Sequence, residues 1–388
     1  MIRIISALAC LCCILSCSRK LDLANRYDNS ESSKPFNGTQ PSGDDDVEYL
    51  DMGQYLISKR INVSVPEHTP RAHYIPDGKI SVVKFSFDTS WRLIWSADVS
   101  FMQTGCSSPF LEDNISGLDN SMGFIGKGIS ATQDGFTDGG MWTIGMNELP
   151  DGTLAAFFHA ESHFKGVASQ YKSIGVAYSS DKGLSWDNGT KIISSPDPKP
   201  EIGEGGGKSY GLGDGCVVWN KSRKQWICYY SGYCADPGDF LISMAASSDG
   251  KAMPGTWKKW DGSGFHSQAC DQKSGLGAQN IRIEGLKNFH GGNPSVSWNT
   301  QIRKWIMTYH TWGREIVMSV SDDGISWSEP FAIIGSELEK GGAMYPNIIS
   351  SEGDLESGSE FRIYYSADMD NSTGERSFAY RIVKFKNL

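Results

Sequence analysis

The chain has 388 residues, 39% of them hydrophobic, and a formal net charge of −9. That length buries a sizeable core, and an acidic balance with no concentrated basic face excludes a nucleic-acid-binding surface. Forty-four glycines, twelve tryptophans and fifteen tyrosines, with no long apolar segment of period 3.6, predict an all-β fold of short strands and tight turns.

In chain order, residues 1–17 come first: basic Arg3, then an apolar run too short to span a bilayer comfortably, the pattern of an export signal. Its end, Ile14-Leu15-Ser16-Cys17, resembles a bacterial lipobox, which implies that Cys17 is lipidated and becomes the new N-terminus. The expected location is the cell envelope, at the outer membrane or cell surface, with the lipid as the only membrane contact. Residues 18–50, rich in Ser, Asn, Asp and Gly, bury too little apolar area to fold and read as a disordered tether. Residues 51–388 are then one folded domain, expected to be a monomer.

Cys10, Cys12 and Cys13 leave with the signal, so the mature body keeps Cys106, Cys216, Cys228, Cys234 and Cys270. Their spacing matches no zinc pattern. An exported protein admits a disulfide, of Cys228 or Cys234 with Cys270, and the alternative is buried free thiols.

A repeat organises the rest. Gly213-Asp-Gly-Cys-Val-Val-Trp-Asn220 aligns with Gly292-Asn-Pro-Ser-Val-Ser-Trp-Asn299, and the offset of 79 residues continues without a gap to Trp226 over Trp305 and Tyr230 over Tyr309. Each copy reads as strand, short polar turn, strand. Looser copies begin at Ile80, Trp142 and Tyr345, making five units. Such repeats predict a five-bladed β-propeller of four-stranded antiparallel blades, because no single blade can bury both its faces.

Three units continue into a further strand. Two of these carry Ser-x-Asp-x-Gly-x-Ser-Trp, lightly edited in the second, with Asp181, Gly183 and Trp186 in one copy and Asp322, Gly324 and Trp327 in the other; Ser247-Ser248-Asp249 is a degraded third. The motif resembles the Asp-box of sialidases and other propeller proteins. That implies turn staples, with Asp accepting backbone N–H bonds, Gly permitting positive φ and Trp packing between blades.

The chemistry is therefore expected on the other rim. First strands open there with Asp138 or Trp142, Asp214, Asn293 and Tyr345, and second strands end there with Ser96, His159, Ser231, His310 and Ser366. Asp98, Glu161, His163, Asp236, Asp239, Trp312 and Arg314 follow in the loops. Period two along His159-Ala-Glu-Ser-His163 points His159, Glu161 and His163 to one side, which suits metal ligation, acid–base work or hydrogen bonding to a sugar. Trp142, Trp312 and Tyr345 are either inter-blade core or stacking platforms. No cofactor is expected, beyond a structural cation that the propeller would accommodate.

Asp214 in Gly-Leu-Gly-Asp-Gly, Asn293 in Gly-Gly-Asn-Pro-Ser and Tyr345-Pro346 resemble the inner-strand openings of five-bladed propeller glycosidases related to arabinanases and xylosidases. The resemblance implies a glycoside hydrolase in which carboxylates surround a central pocket. Asp214, Glu161 and Asp138 are the catalytic candidates. Glu204, His159, His163, Asn293, His310, Trp312 and Tyr345 are the substrate-binding ones. Asn293 departs from that pattern, since an amide exchanges no protons. A surface glycan-binding lipoprotein is the alternative from another class. A propeller polysaccharide lyase using His159, His310 and Tyr345 is a third.

Overall fold

The computed structural model describes residues 47–65, 75–96, 100–114, 136–137, 139–163, 170–187, 189–199, 209–233, 241–286, 290–370 and 375–386. The signal segment, Cys17 and nearly all of the tether lie outside them. The described fold is all-β, with single 3₁₀ turns at Leu111–Asp113 and Glu284–Leu286. No described helix is long and apolar enough to cross a membrane.

The strands, in order, are β1 (Tyr49–Asp51), β2 (Tyr55–Ser58), β3 (Ile61–Asn62), β4 (Ile80–Val83), β5 (Trp91–Ser96), β6 (Ser100–Cys106), β7 (Gly140–Glu148), β8 (Leu154–His163), β9 (Gln170–Ser179) and β10 (Thr190–Ile193). They continue with β11 (Ser209–Asn220), β12 (Gln225–Tyr233), β13 (Leu241–Ser247), β14 (Lys258–Trp260), β15 (Phe265–Gln268), β16 (Gly291–Asn299), β17 (Lys304–Thr311), β18 (Ile316–Ser321) and β19 (Phe331–Ile334). The last are β20 (Ala343–Ile349), β21 (Glu356–Ser357), β22 (Glu360–Ala367) and β23 (Ser377–Phe385).

Pairing makes antiparallel meanders: β4-β5-β6, β7-β8-β9-β10, β11-β12-β13-β14-β15, β16-β17-β18-β19 and β20-β22-β23. The second and third fuse into one nine-stranded sheet through a short parallel seam of Ser209–Gly211 against Gln170–Lys172. The last is extended by β2, which pairs antiparallel with β23 (Ile57 opposite Val383).

Period-two alternation sends successive residues of each meander to opposite neighbours. Phe158 packs with Val83 and Ile94 of the first meander, whereas Phe157 packs with Val217 and Trp226 of the third. Tyr229 faces the fourth meander and Tyr230 the second; Tyr365 faces the fourth and Tyr364 the first. The buried apolar clusters thus run between consecutive meanders and, with Ile80, Val82 and Leu93 against Ile349 and Phe378, return from the last to the first. Each meander buries both faces only because its neighbours are present.

The repeated unit holds at backbone level. Lys224 and Arg303 end their turns at φ 52° and 54°, and Asn220 and Asn299 each accept backbone N–H bonds across the turn. Of the two cysteine readings the free-thiol one holds among the described residues: Cys106, Cys216, Cys228 and Cys270 are buried free thiols, and Cys234 lies outside the described residues. Cys228 sits inside the packed seam beside Trp226 and Tyr230, and burial pushes its thiol well above the ordinary range.

The turn motif needs one correction. Asp181 accepts the Ser185 N–H at 2.8 Å and the Ser179 hydroxyl at 2.7 Å; Gly183 adopts φ 88° and Trp186 packs on the seam of the first two meanders. In the second copy the equivalent carboxylate is Asp323, not Asp322. Asp323 accepts N–H bonds from Ile325 and Ser326, both at 2.8 Å, with Gly324 at φ 75° and Trp327 buried edge-on to Tyr229. Asp322 points outward and pairs with Lys304. The second turn is one residue shorter between Asp and Trp, so counting back from Trp327 lands one position early. In the third copy Asp249 accepts the Met253 N–H at 2.9 Å and Trp257 is buried.

Candidate functional site: a carboxylate pair at one end of the inner strands

Near its opening, each of β7, β11, β16 and β20 slips register against its partner, at Thr143/Gly145, Gly213/Gly215, Gly292/Ser295 and Met344/Asn347. Such bulges re-aim a side chain. In three of them a non-glycine residue takes a left-handed backbone: Asp214 at φ 41°, Asn293 at 57° and Tyr345 at 58°. That conformation is disfavoured for residues bearing a Cβ, most of all a bulky one, and is characteristically retained at functional positions.

Local glycines make the Asp214 bulge possible. A Cβ on Gly213 would lie 2.7 Å from the His159 ring, and one on Gly215 would lie 2.1 Å from the Tyr229 carbonyl oxygen. The Gly-Asp-Gly triplet therefore lets Asp214 turn back while His159 lies flat against the chain.

A relay of contacts joins each meander to the next at this end. The Ser96 hydroxyl donates to the Thr143 carbonyl at 3.0 Å, and His159 Nδ1 lies 2.9 Å from Asp214 Oδ1. Ser231 Oγ donates to the Asp214 carbonyl and accepts the Asn293 N–H, both at 2.9 Å. The Tyr345 N–H donates to His310 Nδ1 at 3.4 Å, and the Ser366 hydroxyl donates to the Pro76 carbonyl, returning to the first meander.

The seam between the second and third meanders is apolar through Phe157, Ile174 and Leu212, then turns polar along the same faces. His159, Glu161, Lys172 and Asp214 cap it. Glu161 and Lys172 stand directly opposite on β8 and β9. Lys172 Nζ is 3.2 Å from Glu161 Oε1 and 3.9 Å from Asp214 Oδ2, and His159 Nε2 is 3.6 Å from Glu161 Oε1. One lysine and one imidazole thus lie between the two carboxylates. Burial disfavours the Asp214 anion, but His159 and Lys172 outweigh it and hold the carboxyl well below the usual carboxylate range. Glu161 Oε2 and His159 Nε2 are buried without a hydrogen-bond partner among the described residues. Such orphans are costly inside a protein.

Trp142 belongs to the site rather than to a core cluster: its ring folds over Gly140 and lies 5.6 Å from His159. His310 is fully buried, edge-on to Trp312 and Tyr345 at 5.4 and 5.5 Å. Because Nδ1 accepts the Tyr345 N–H, the ring proton sits on Nε2, which has no partner among the described residues. Burial pushes the imidazole down to about 4 against the pull of Asp214, so it is neutral at neutral pH. Arg314 turns outward to the Met369 carbonyl and Asp370.

Of the sequence candidates, Asp214, Glu161 and His159 come together, while Asn293 is joined to them through Ser231. His310, Trp312 and Tyr345 form a second cluster on the same end. Asp138 and Glu204 lie outside the described residues, as do Asp98, Asp236 and Asp239. His163 closes β8, with its side chain outside what is described. Among the described residues no group of three or more His, Cys, Asp or Glu is arranged to hold a metal ion.

Sequence reasoning missed Lys172, Asp77 and Arg376. Lys172 carried a signal, since it shares a strand face with Ile174 and Val176, where only apolar side chains are expected. Asp77 opens the first meander and pairs with Arg376 at 3.5 Å, whose guanidinium lies 5.8 Å from the Tyr345 ring.

No protein-family model matches the chain, and no curated protein matches it. Among solved structures it is similar to a protein of unknown function from Dyadobacter fermentans (12% identity, 92% of this chain and 79% of that one, TM-score 0.43). It is also similar to an N-acetylgalactosamine deacetylase from F. plautii in complex with blood group B trisaccharide (11%, 86% and 96%, TM-score 0.45). A third is the catalytic domain of a GH62 α-L-arabinofuranosidase from Coprinopsis cinerea (10%, 66% and 68%, TM-score 0.38).

Proposed function

We propose that the chain is a five-bladed β-propeller, exported and anchored through Cys17, whose inner-strand openings form a glycan-active site of the glycoside hydrolase type. The cycle of apolar seams that returns from the last meander to the first supports the architecture. The observation that carries the activity is the Asp214–Glu161 pair, aimed at one place from successive meanders with His159 and Lys172 between them.

Glycoside cleavage needs one carboxyl group to protonate the leaving oxygen and another to activate water or attack carbon. Asp214, held ionised, suits the second role. Glu161 faces it with Oε1 on Lys172 and Oε2 unclaimed, which makes it the candidate for the first. Asp138, expected at the opening of the preceding inner strand, is the third carboxylate of this reading. Trp142, His310, Trp312 and Tyr345 would grip the sugar.

A binding protein that uses the same end without chemistry is the second reading. It is favoured by the compensation of both carboxylates by Lys172 and His159, and by the amide of Asn293 where the preceding repeat has Asp214. Hydrolysis of a glycan panel, with Asp214→Asn and Glu161→Gln as controls, separates them. A hydrolase releases product and loses two to four orders of magnitude of turnover in each variant, roughly the worth of a positioned acid or base. A binder retains glycan without product, and wild-type behaviour of both variants in both assays sinks the site.

A further inference from the structure

A cavity lies at the other end of the inner strands. It encloses about 700 Å³ and is walled by Trp91, Trp219, Trp298 and Trp305. Glu148 and Asn220, the last residues of β7 and β11, also line it. Six residues of strand separate Asn220 from Asp214, roughly 20 Å at strand rise, so the two places are distinct.

Three features of this cavity bear on what it takes. Its volume falls within the roughly 300–1,000 Å³ of small-ligand sites. Trp219 and Trp298 occupy equivalent places in the two 79-residue repeats, each held by its directly opposite neighbour, Trp226 at 5.0 Å and Trp305 at 5.5 Å, while remaining partly exposed. The packed partners fix the indoles before any ligand arrives. Lastly, Asn147 lines the cavity, is 6% exposed, and its Nδ2 has no hydrogen-bond partner among the described residues. A buried amide donor at the cavity wall lacks an acceptor, and a ligand oxygen reaching it would supply one.

We infer that this cavity is a second carbohydrate-binding site, which takes a neutral mono- or oligosaccharide with ring C–H groups on the indoles and a hydroxyl oxygen on Asn147 Nδ2. Aromatic faces combined with a few fixed polar groups suit a pyranose, whose two faces are apolar and whose edge is hydroxylated. An aliphatic ligand would leave the Asn147 amide unanswered.

The test is a tryptophan-fluorescence and calorimetric titration of the intact protein with D-galactose, L-arabinose, D-xylose, N-acetyl-D-glucosamine and cellobiose. It is repeated on Asn147→Leu, Trp298→Ala and Asp214→Asn. The expected result is a saturable binding event for at least one sugar that weakens tenfold or more in Asn147→Leu and is still seen in Asp214→Asn, which removes only sugar bound at the other end. Melting curves show whether Trp298→Ala folds; if it does not, the smaller Asn147→Leu change decides. Binding that follows Asp214→Asn and ignores Asn147→Leu, or no binding of any of the five sugars at millimolar concentration, overturns the inference.

Discussion

His159 Nδ1 and Asp214 Oδ1 lie 2.9 Å apart although their strands belong to different meanders, so this contact both joins the two and sets the charge of the site. Its counterparts at the other junctions are neutral serine or imidazole contacts to backbone groups. At the His159 junction the contact is instead to an ionised carboxylate.

Lys172 lies between Glu161 and Asp214, and its removal leaves a buried carboxylate uncompensated. Lys172→Met is expected to lower stability by about 3–5 kcal/mol, the cost of breaking a buried pair. Adding Glu161→Gln should restore much of that loss, because an amide needs no counter-charge. Denaturant unfolding of the two single variants and the double variant gives the coupling directly. Additive losses would contradict the contact.

His310 makes stability depend on mild acid. Its folded value of about 4 lies below the ordinary 6.5, so between these the unfolded chain binds the extra proton and stability falls as pH falls. The loss begins near pH 6.5, levels off near pH 4, and amounts to about 3 kcal/mol at most, using 1.36 kcal/mol per pH unit. The check is to compare melting temperatures across that window for the wild type and His310→Gln, which should flatten the curve. An unchanged slope would assign the dependence to another group.

The two neighbouring aspartates of the second turn should behave differently. Asp323→Ala removes the acceptor for two backbone N–H groups and should cost about 1–3 kcal/mol. Asp322→Ala removes only a surface ion pair and should fall within about 1 kcal/mol. Both lie at the end of the strands away from Asp214, so turnover or glycan binding at the Asp214 end should be retained per folded molecule. Thermal melts alongside the activity assay decide.

Gly213 is a sensitive backbone position. Gly213→Ala places a methyl 2.7 Å from the His159 ring, which must then move off Asp214. The carboxyl of Asp214 should titrate at higher pH in this variant, visible as a shift in its side-chain ¹³C resonance with acid. No shift would show that the ring has room to stay.

Much of the all-β fold was legible because the repeat is one of backbone demands. Asp214 and Asn293 share a bulge, Lys224 and Arg303 share a left-handed turn end, and Trp226 and Trp305 share a cross-strand partner 79 residues apart. His159 and Glu161 were also legible, since period two places them on one face. Lys172 was not, because its partners come from another strand and another meander, and nothing local marks it beyond its apolar company. Asp323 was obscured by a one-residue shortening of its turn. The role of Tyr55–Ser58 escaped as well, because pairing with residues near 383 has no periodic signature.

That pairing has a temporal consequence. Ile57 lies opposite Val383, so one of the earliest strands cannot complete its sheet until one of the last has emerged. A contact between residues so distant in sequence is closed late and slowly, and until then the flanks of β22 and the first meander remain uncovered. Residues 377–385 thus act as the latch between the first strands and the last sheet. Their deletion should leave a chain that is collapsed but open, prone to pair its free edges with another copy.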